Sequence, residues 1–193
     1  VTAPHLADVT WPRRTERLVV RPYREEDLGA VWAYRSDPDV ARWVGRAPRT
    51  RDDLATGFVA RPGEPALVAE HDGVVMADLM VRVGDGWSQA DVRDGAARTE
   101  AELGWVLAPS HHGLGLGSEA VTDLLDLCFG ELGLRRVTAG CFVENAPSWR
   151  LMERLGMRRE AHGVRDSLHR DLGWVDGYTY AILADEWTAR RGG

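Results

Sequence analysis

Between Glu102 and Gly133 the sequence reads ELGWVLAPSHHGLGLGSEAVTDLLDLCFGELG, and its chemistry lies in the middle, where Gly113, Gly115 and Gly117 alternate with leucines. Glycines at this spacing strip side chains from the point where a strand turns into a helix, so that backbone N–H groups can line a concave nest. The free amides and dipole of the following helix add positive potential, and the matching ligand is a phosphate or pyrophosphate. The same glycines would also suit a tight turn that needs unusual backbone angles. The placement between strand and helix favours the anion. A nucleotide triphosphatase loop would end in Gly-Lys-Ser/Thr, whereas Ser118 and Glu119 follow Gly117 here. Gly115-Leu-Gly117-Ser-Glu-Ala120 satisfies the GxGxxA form of the dinucleotide fingerprint. However, too little chain follows for the rest of a doubly wound sheet, and no acidic residue ends the next strand about 20 residues on. Cys128 and Cys141 form no CxxC spacing and no disulfide framework. Cys141 reads as a buried strand thiol with no base beside it to generate thiolate. His111, His112, His162 and His169 show no zinc-ligand spacing, so no metal is expected.

The elements that must position this loop follow from periodicity. The chain has 193 residues, the length of one domain with a sizeable core. A formal net charge of −6 argues against a general nucleic-acid or membrane-surface binder. No apolar run approaches the roughly 20 residues of a membrane span. The first residues lack the apolar centre of a secretory signal, and with the sparse cysteines a reducing cytoplasm is expected. RLVVRPY (17–23) reads as a first strand, followed by a helix with Leu28, Val31 and Trp32 on one face and Pro38 at its end. Two short helices are expected in DVARWVG and TRDDLATGFVA. ALVAEHDGVVMADLMVRV reads as two strands around an Asp72-Gly73 turn. GDGWSQADVRDGAART is a loop, EAELGWVLA a strand, 118–132 a helix and RRVTAGCFV a strand. NAPSWRLMERLGM is a helix stopped by Gly156, and WVDGYTYAILADEW holds the last strand. The result is a single mixed α/β (α+β) domain over 15–188, with an N-terminal extension over 1–14 and a C-terminal tail over 189–193.

HHGLGLGSEAV after AELGWVLAPS resembles the acetyl-CoA pyrophosphate loop of GCN5-related N-acetyltransferases (the GNAT superfamily), with its pattern Gln/Arg-x-x-Gly-x-Gly/Ala. TERLVVRPYREEDL, ENAPSWRLMERLGMRREA and the closing WVDGYTYAILADEW are similar to the ribosomal-protein N-terminal acetyltransferase branch of that superfamily, so the likeness spans Thr15 to Trp187. One departure is plain: His112 stands where the pattern has Gln or Arg, and a neutral imidazole donates one hydrogen bond without a fixed charge. The resemblance implies a mostly antiparallel mixed sheet that splays near the glycine loop, with helices on both faces. It implies acetyl-CoA as cosubstrate, running beside Val106 and Leu107 at the strand end. Its pyrophosphate would be cradled by His112, Gly113, Leu114, Gly115, Leu116, Gly117 and Ser118. The implied reaction is acetyl transfer to a primary amine, a peptide or protein α-amino group by branch and a small-molecule amine next. A CoA-binding module without turnover is the alternative. Family members often pair as homodimers, though no self-complementary patch is legible here.

Acetyl transfer needs a neutral amine, a polarised thioester, an aligned acceptor and a thiolate able to leave. Glu102 begins the strand into the loop, sharing a face with Gly104 and Val106; it is either the general base or a solvated strand-end carboxylate. Glu100, two residues earlier on that face, is the lesser candidate. Asn145 can donate to and accept from the amides of the pantetheine arm, or cap the next helix. Many relatives carry a tyrosine at the place of Met152 to protonate the thiolate; by resemblance to the branch this role falls to Ser148, which could instead bond its own backbone. Tyr178 and Tyr180 are the fallback acids. Trp32, Trp43, Trp87 and Trp174 are candidates to line an acceptor cleft, and GDGWSQADVRDGAART and GVRDSLHRDLGW are the segments expected to carry selectivity.

Overall fold

A computed structural model describes residues 4–57 and 64–192. Eight strands form one sheet in the order β1-β2-β3-β4-β5-β6-β8-β7. They are β1 (Arg13–Arg14), β2 (Leu18–Pro22), β3 (Leu67–His71), β4 (Val74–Gly84), β5 (Glu100–Leu107), β6 (Arg136–Phe142), β7 (Arg158–His169) and β8 (Gly173–Leu183). The helices are α1 (Leu28–Arg35), α2 (Pro38–Ala41), α3 (Arg51–Gly57), α4 (Leu116–Asp126), α5 (Ala146–Arg154) and α6 (Ala184–Gly192). Asp72 and Gly73 make the β3–β4 turn with φ of 51° and 78°, the left-handed pair that a two-residue hairpin needs. The residues at 58–60 in the expected third helix lie outside the described residues.

Every strand pair is antiparallel except β5 with β6. That parallel pair is registered at only Glu100↔Arg136, Ala101↔Val137 and Glu102↔Thr138. Beyond Glu102 the two strands part, and this is the splay that positions the site. Helices cover both faces. Leu116, Ala120, Val121 and Leu124 of α4, Leu151 and Met152 of α5 and Trp187 of α6 join the main core with Leu103, Val137, Ala139 and Ile182 from the sheet. Across the sheet, Val31 and Tyr34 of α1 and Leu54 of α3 pack with Val68 and Ala108.

Residues 4–14, in the stretch expected as an N-terminal extension, pack on the sheet: Leu6 and Val9 are buried in the main core, β1 pairs with β2, and Arg13 bonds Asp123 on α4 at 2.8 Å. Apolar side chains spaced among prolines and charges gave no periodic signal. At the other end, α6 continues through the expected tail as far as Gly192. β7 was not expected as a strand, since nearly all its side chains are exposed. No helix among the described residues is long and apolar enough to cross a membrane.

Candidate active site

The parting of β5 and β6 opens a cleft of about 720 Å³, within the size range of small-molecule sites. Trp105, Val106 and Leu107 from the end of β5 form one side, and Asn145, Ser148, Leu151 and Arg154 of the α5 segment the other. The glycine loop closes one end, and Asp37, Asp39, Val40, Trp43 and Val44 around α2 form the opposing wall.

The three glycines have separable jobs. Gly113 and Gly115 hold φ of 76° and 79°, a left-handed backbone that other residues adopt only with strain. Gly117 has an ordinary φ, but a Cβ there would sit 2.8 Å from Leu107 Cδ2 and 3.3 Å from Leu151 Cδ1. Its bareness lets the start of α4 press against the strand and α5. Gly115 is the N-cap of α4, and the first helical bond runs from the Glu119 N–H to its carbonyl at 3.1 Å. The N–H groups of Leu116, Gly117 and Ser118 therefore precede the helical ladder, as an anion site requires. Turn chemistry and anion chemistry coexist in this loop.

The structure brings Val106, Leu107, His112, Gly113, Gly115, Gly117, Ser118, Asn145 and Ser148 around one cleft. Leu114 is 53% exposed and Leu116 is buried in the core, so these two can contribute backbone alone. His112 Nε2 lies 3.2 Å from the Leu107 carbonyl. A carbonyl only accepts, so the single N–H of a neutral ring is spent there. Asn145 occupies the N-cap of α5 without a side-chain cap bond, and Ser148 makes no side-chain bond to its backbone. Among the described residues both polar groups are left for a ligand.

Other candidates fall elsewhere. Glu102 does not line the cleft; half exposed, it sits at the last registered pair and bonds Arg82 at 2.9 Å. Glu100 bonds Arg135 and Arg136. Met152 is a core side chain. The Tyr180 hydroxyl donates to Glu153 at 2.8 Å, and burial, with that carboxylate, pushes it up to about 12. Tyr178 lies against His162, with Arg159 stacked over its ring, outside the cleft. Burial raises the Cys141 thiol to about 11 and the Cys128 thiol to about 12, which keeps both protonated at neutral pH. Of the four tryptophans expected at an acceptor cleft, Trp43 is there; Trp32 packs in the second core, and Trp87 and Trp174 face solvent. Trp105, unmarked in the sequence because its strand gave no reason to single it out, joins Trp43. The tip of the β7–β8 hairpin reaches this wall: buried His169 bonds the Arg42 carbonyl at 2.9 Å and packs against Trp43 and Phe142. A smaller hollow of about 260 Å³ lies over β4 beside α1 and α3, where Asp53 and Asp78 are already held by Arg46 and Arg35.

The acetyltransferase (GNAT) domain family matches residues 17–158, most of the chain. The protein belongs to the GNAT acetyltransferases. It is 32% identical over 173 residues to the uncharacterized N-acetyltransferase YnaD of Bacillus subtilis, covering 90% of this chain and 97% of that one. A GNAT-family acetyltransferase structure from Bacillus anthracis superposes with a TM-score of 0.76 at 30% identity, over 91% of this chain and all of the other. The Salmonella typhimurium acetyltransferase yncA, solved with its cofactor acetyl-CoA, does so with a TM-score of 0.66 at 27% identity, over 89% of this chain and 96% of that one. The strand splay and the glycine loop are the parts of this GNAT fold on which chemistry can be built.

Proposed function

We propose that this GNAT protein transfers the acetyl group of acetyl-CoA directly to a primary amine. The observation that carries the proposal is the cleft between the parted strands, with free helix amides at one end and the uncommitted Asn145 and Ser148 along one side. The loop N–H groups hold the pyrophosphate, and the pantetheine arm runs between Val106 and Asn145, whose amide matches an amide-bearing ligand. The amine lone pair attacks the thioester carbonyl carbon, the carbon–sulfur bond breaks, and the thiolate takes a proton from the Ser148 hydroxyl, which solvent restores. The proton lost by the amine passes through water to Glu102, which stands at the closed end of the splay rather than in the cleft. Direct attack in a ternary complex fits better than an acyl-cysteine, since both thiols stay protonated.

The acceptor enters along the wall of Asp37, Asp39 and Trp43. Two carboxylates and an aromatic ring suit an ammonium group approaching from water. An α-amino group, with an ordinary pKa of about 8, is more easily delivered neutral than a lysine side chain at about 10.4. A peptide or protein N-terminus is therefore the leading acceptor. The test is calorimetric titration with acetyl-CoA, followed by mass spectrometry of an amine panel: free and N-blocked lysine peptides, polyamines and amino acids. Acetylation of free-N-terminal peptides at the α-amine is expected. Transfer only to polyamines or amino acids reassigns the acceptor, CoA binding without any transfer identifies a sensing module, and NAD binding in place of CoA overturns the whole reading.

A further inference from the structure

The glycine loop contains no lysine or arginine between Pro109 and Leu134, and His112 has spent its N–H on Leu107. A guanidinium reaches the loop from the other end of the sequence. We propose that Arg17, ahead of β2, is a positioning residue for the pyrophosphate loop that fixes its geometry and cancels a misplaced negative charge; this rests on the acetyl-CoA reading above. Arg17 Nη1 donates to the Leu114 carbonyl at 3.0 Å and Nε donates to Glu119 Oε2 at 2.7 Å. The Arg17 main-chain N–H and the Thr15 hydroxyl both donate to Glu119 Oε1, at 2.7 and 2.5 Å.

Two consequences follow. The Leu114 carbonyl and the Gly115 N–H belong to one planar trans peptide and point in opposite directions. Holding the oxygen on Arg17 therefore turns the Gly115 N–H away from Arg17, and Gly115 lines the cleft. The second consequence concerns Glu119 in the first turn of α4, a carboxylate at the helix end that must receive an anion. Burial alone would raise its pKa, but the Thr15 hydroxyl and Arg17 outweigh burial and keep it ionised below the usual carboxylate range. Unpaired, that charge would repel a pyrophosphate; paired with Arg17 it is neutralised and serves as the anchor for the guanidinium.

The experiment measures the CoA Kd by calorimetry and acetyl-CoA steady-state kinetics for the full chain, as wild type, Arg17→Met, Arg17→Lys and Arg17→Met/Glu119→Gln, with thermal melts alongside. Arg17→Met is expected to raise Kd about 10- to 100-fold, the scale of a hydrogen bond to a charged group. The kinetic loss falls on KM rather than on kcat at saturating acetyl-CoA. Glu119→Gln in the double variant recovers part of the affinity by removing the exposed charge, but not the part owed to the Leu114 carbonyl. Arg17→Lys, with charge but no fork, lies between wild type and Arg17→Met. A folded Arg17→Met protein with the wild-type Kd, or one whose loss falls on kcat alone, overturns the proposal. Should Arg17→Met not fold, Arg17→Lys decides: an unchanged Kd overturns it and a several-fold rise supports it. If the wild type itself binds no CoA, the acetyl-CoA reading falls, a result distinct from failure of the Arg17 proposal.

Discussion

At the scale of single residues, the chemistry divides between groups inside the cleft and one group at its closed end. The Glu102 carboxylate is turned to Arg82, so the base role proposed for it requires a water relay. Glu102→Gln keeps the shape and removes the basicity. Turnover is expected to fall about 10²–10⁴-fold with little change in acetyl-CoA affinity, and the limb of the pH–rate profile owed to this carboxylate should disappear. A variant with normal rate and profile would show that the acceptor arrives already neutral. The sequence made the turn legible, because glycines at alternate positions between strand and helix mark both a left-handed backbone and a bare nest, and the structure shows the left-handed φ at Gly113 and Gly115. It left Met152 and His112 ambiguous, because a side chain's partners are not written in its own segment: Met152 is claimed by the core and the imidazole by Leu107. Arg17 was illegible as a loop residue for the same reason, its partners lying 97 and 102 positions away.

At the scale of elements, the junction between β2 and α1 is held by one buried cation. Arg21 forks onto Asp27 at 2.7 and 2.8 Å and onto Glu70 of β3 at 2.8 Å. Burial works against the charge of Asp27, yet the Arg21 guanidinium and the Arg24 N–H outweigh it and hold the carboxyl below its ordinary range. A depressed carboxyl gives stability that is present above its unfolded value near 4 and is lost as pH falls through the folded one. Asp27→Ala leaves the guanidinium with Glu70 and the Pro22 carbonyl, and a loss of about 3 kcal/mol in urea unfolding at neutral pH is expected. The gap to wild type should begin to narrow as pH falls below about 4, where the unfolded chain takes up the proton, and should close only as the folded carboxyl is protonated at lower pH. A gap that stays constant down to acid would assign the loss to packing. Elements with one buried and one wet face, such as β2 and α4, were legible from period alone. β7 was not, because an edge strand with nearly every side chain in water carries no alternation to read.

At the scale of the whole molecule, the cleft wall around α2 is joined to the far end of the sheet by His169. Its Nδ1 accepts the N–H groups of Asp171 and Leu172 at 3.1 and 3.2 Å, so Nε2 carries the proton donated to the Arg42 carbonyl. His169→Leu strands three backbone groups around a buried position, and a loss of about 1–3 kcal/mol in urea unfolding is expected. An unchanged midpoint would mean that Arg170, which bonds the Val44 carbonyl at 2.6 Å, holds the hairpin by itself. Such long-range ties account for most of what the sequence concealed, since they join segments 126 and 127 residues apart. The three registered pairs between β5 and β6 have a mechanical meaning as well. They are one hinge pin between β1 to β5 on one side and β6, β8 and β7 on the other, and the His169 and Arg170 bonds to the α2 segment are a clasp across the same gap. A ligand arm bonded to both parted strands would add a further clasp, so occupancy would be felt as rigidity far from the atoms that make contact.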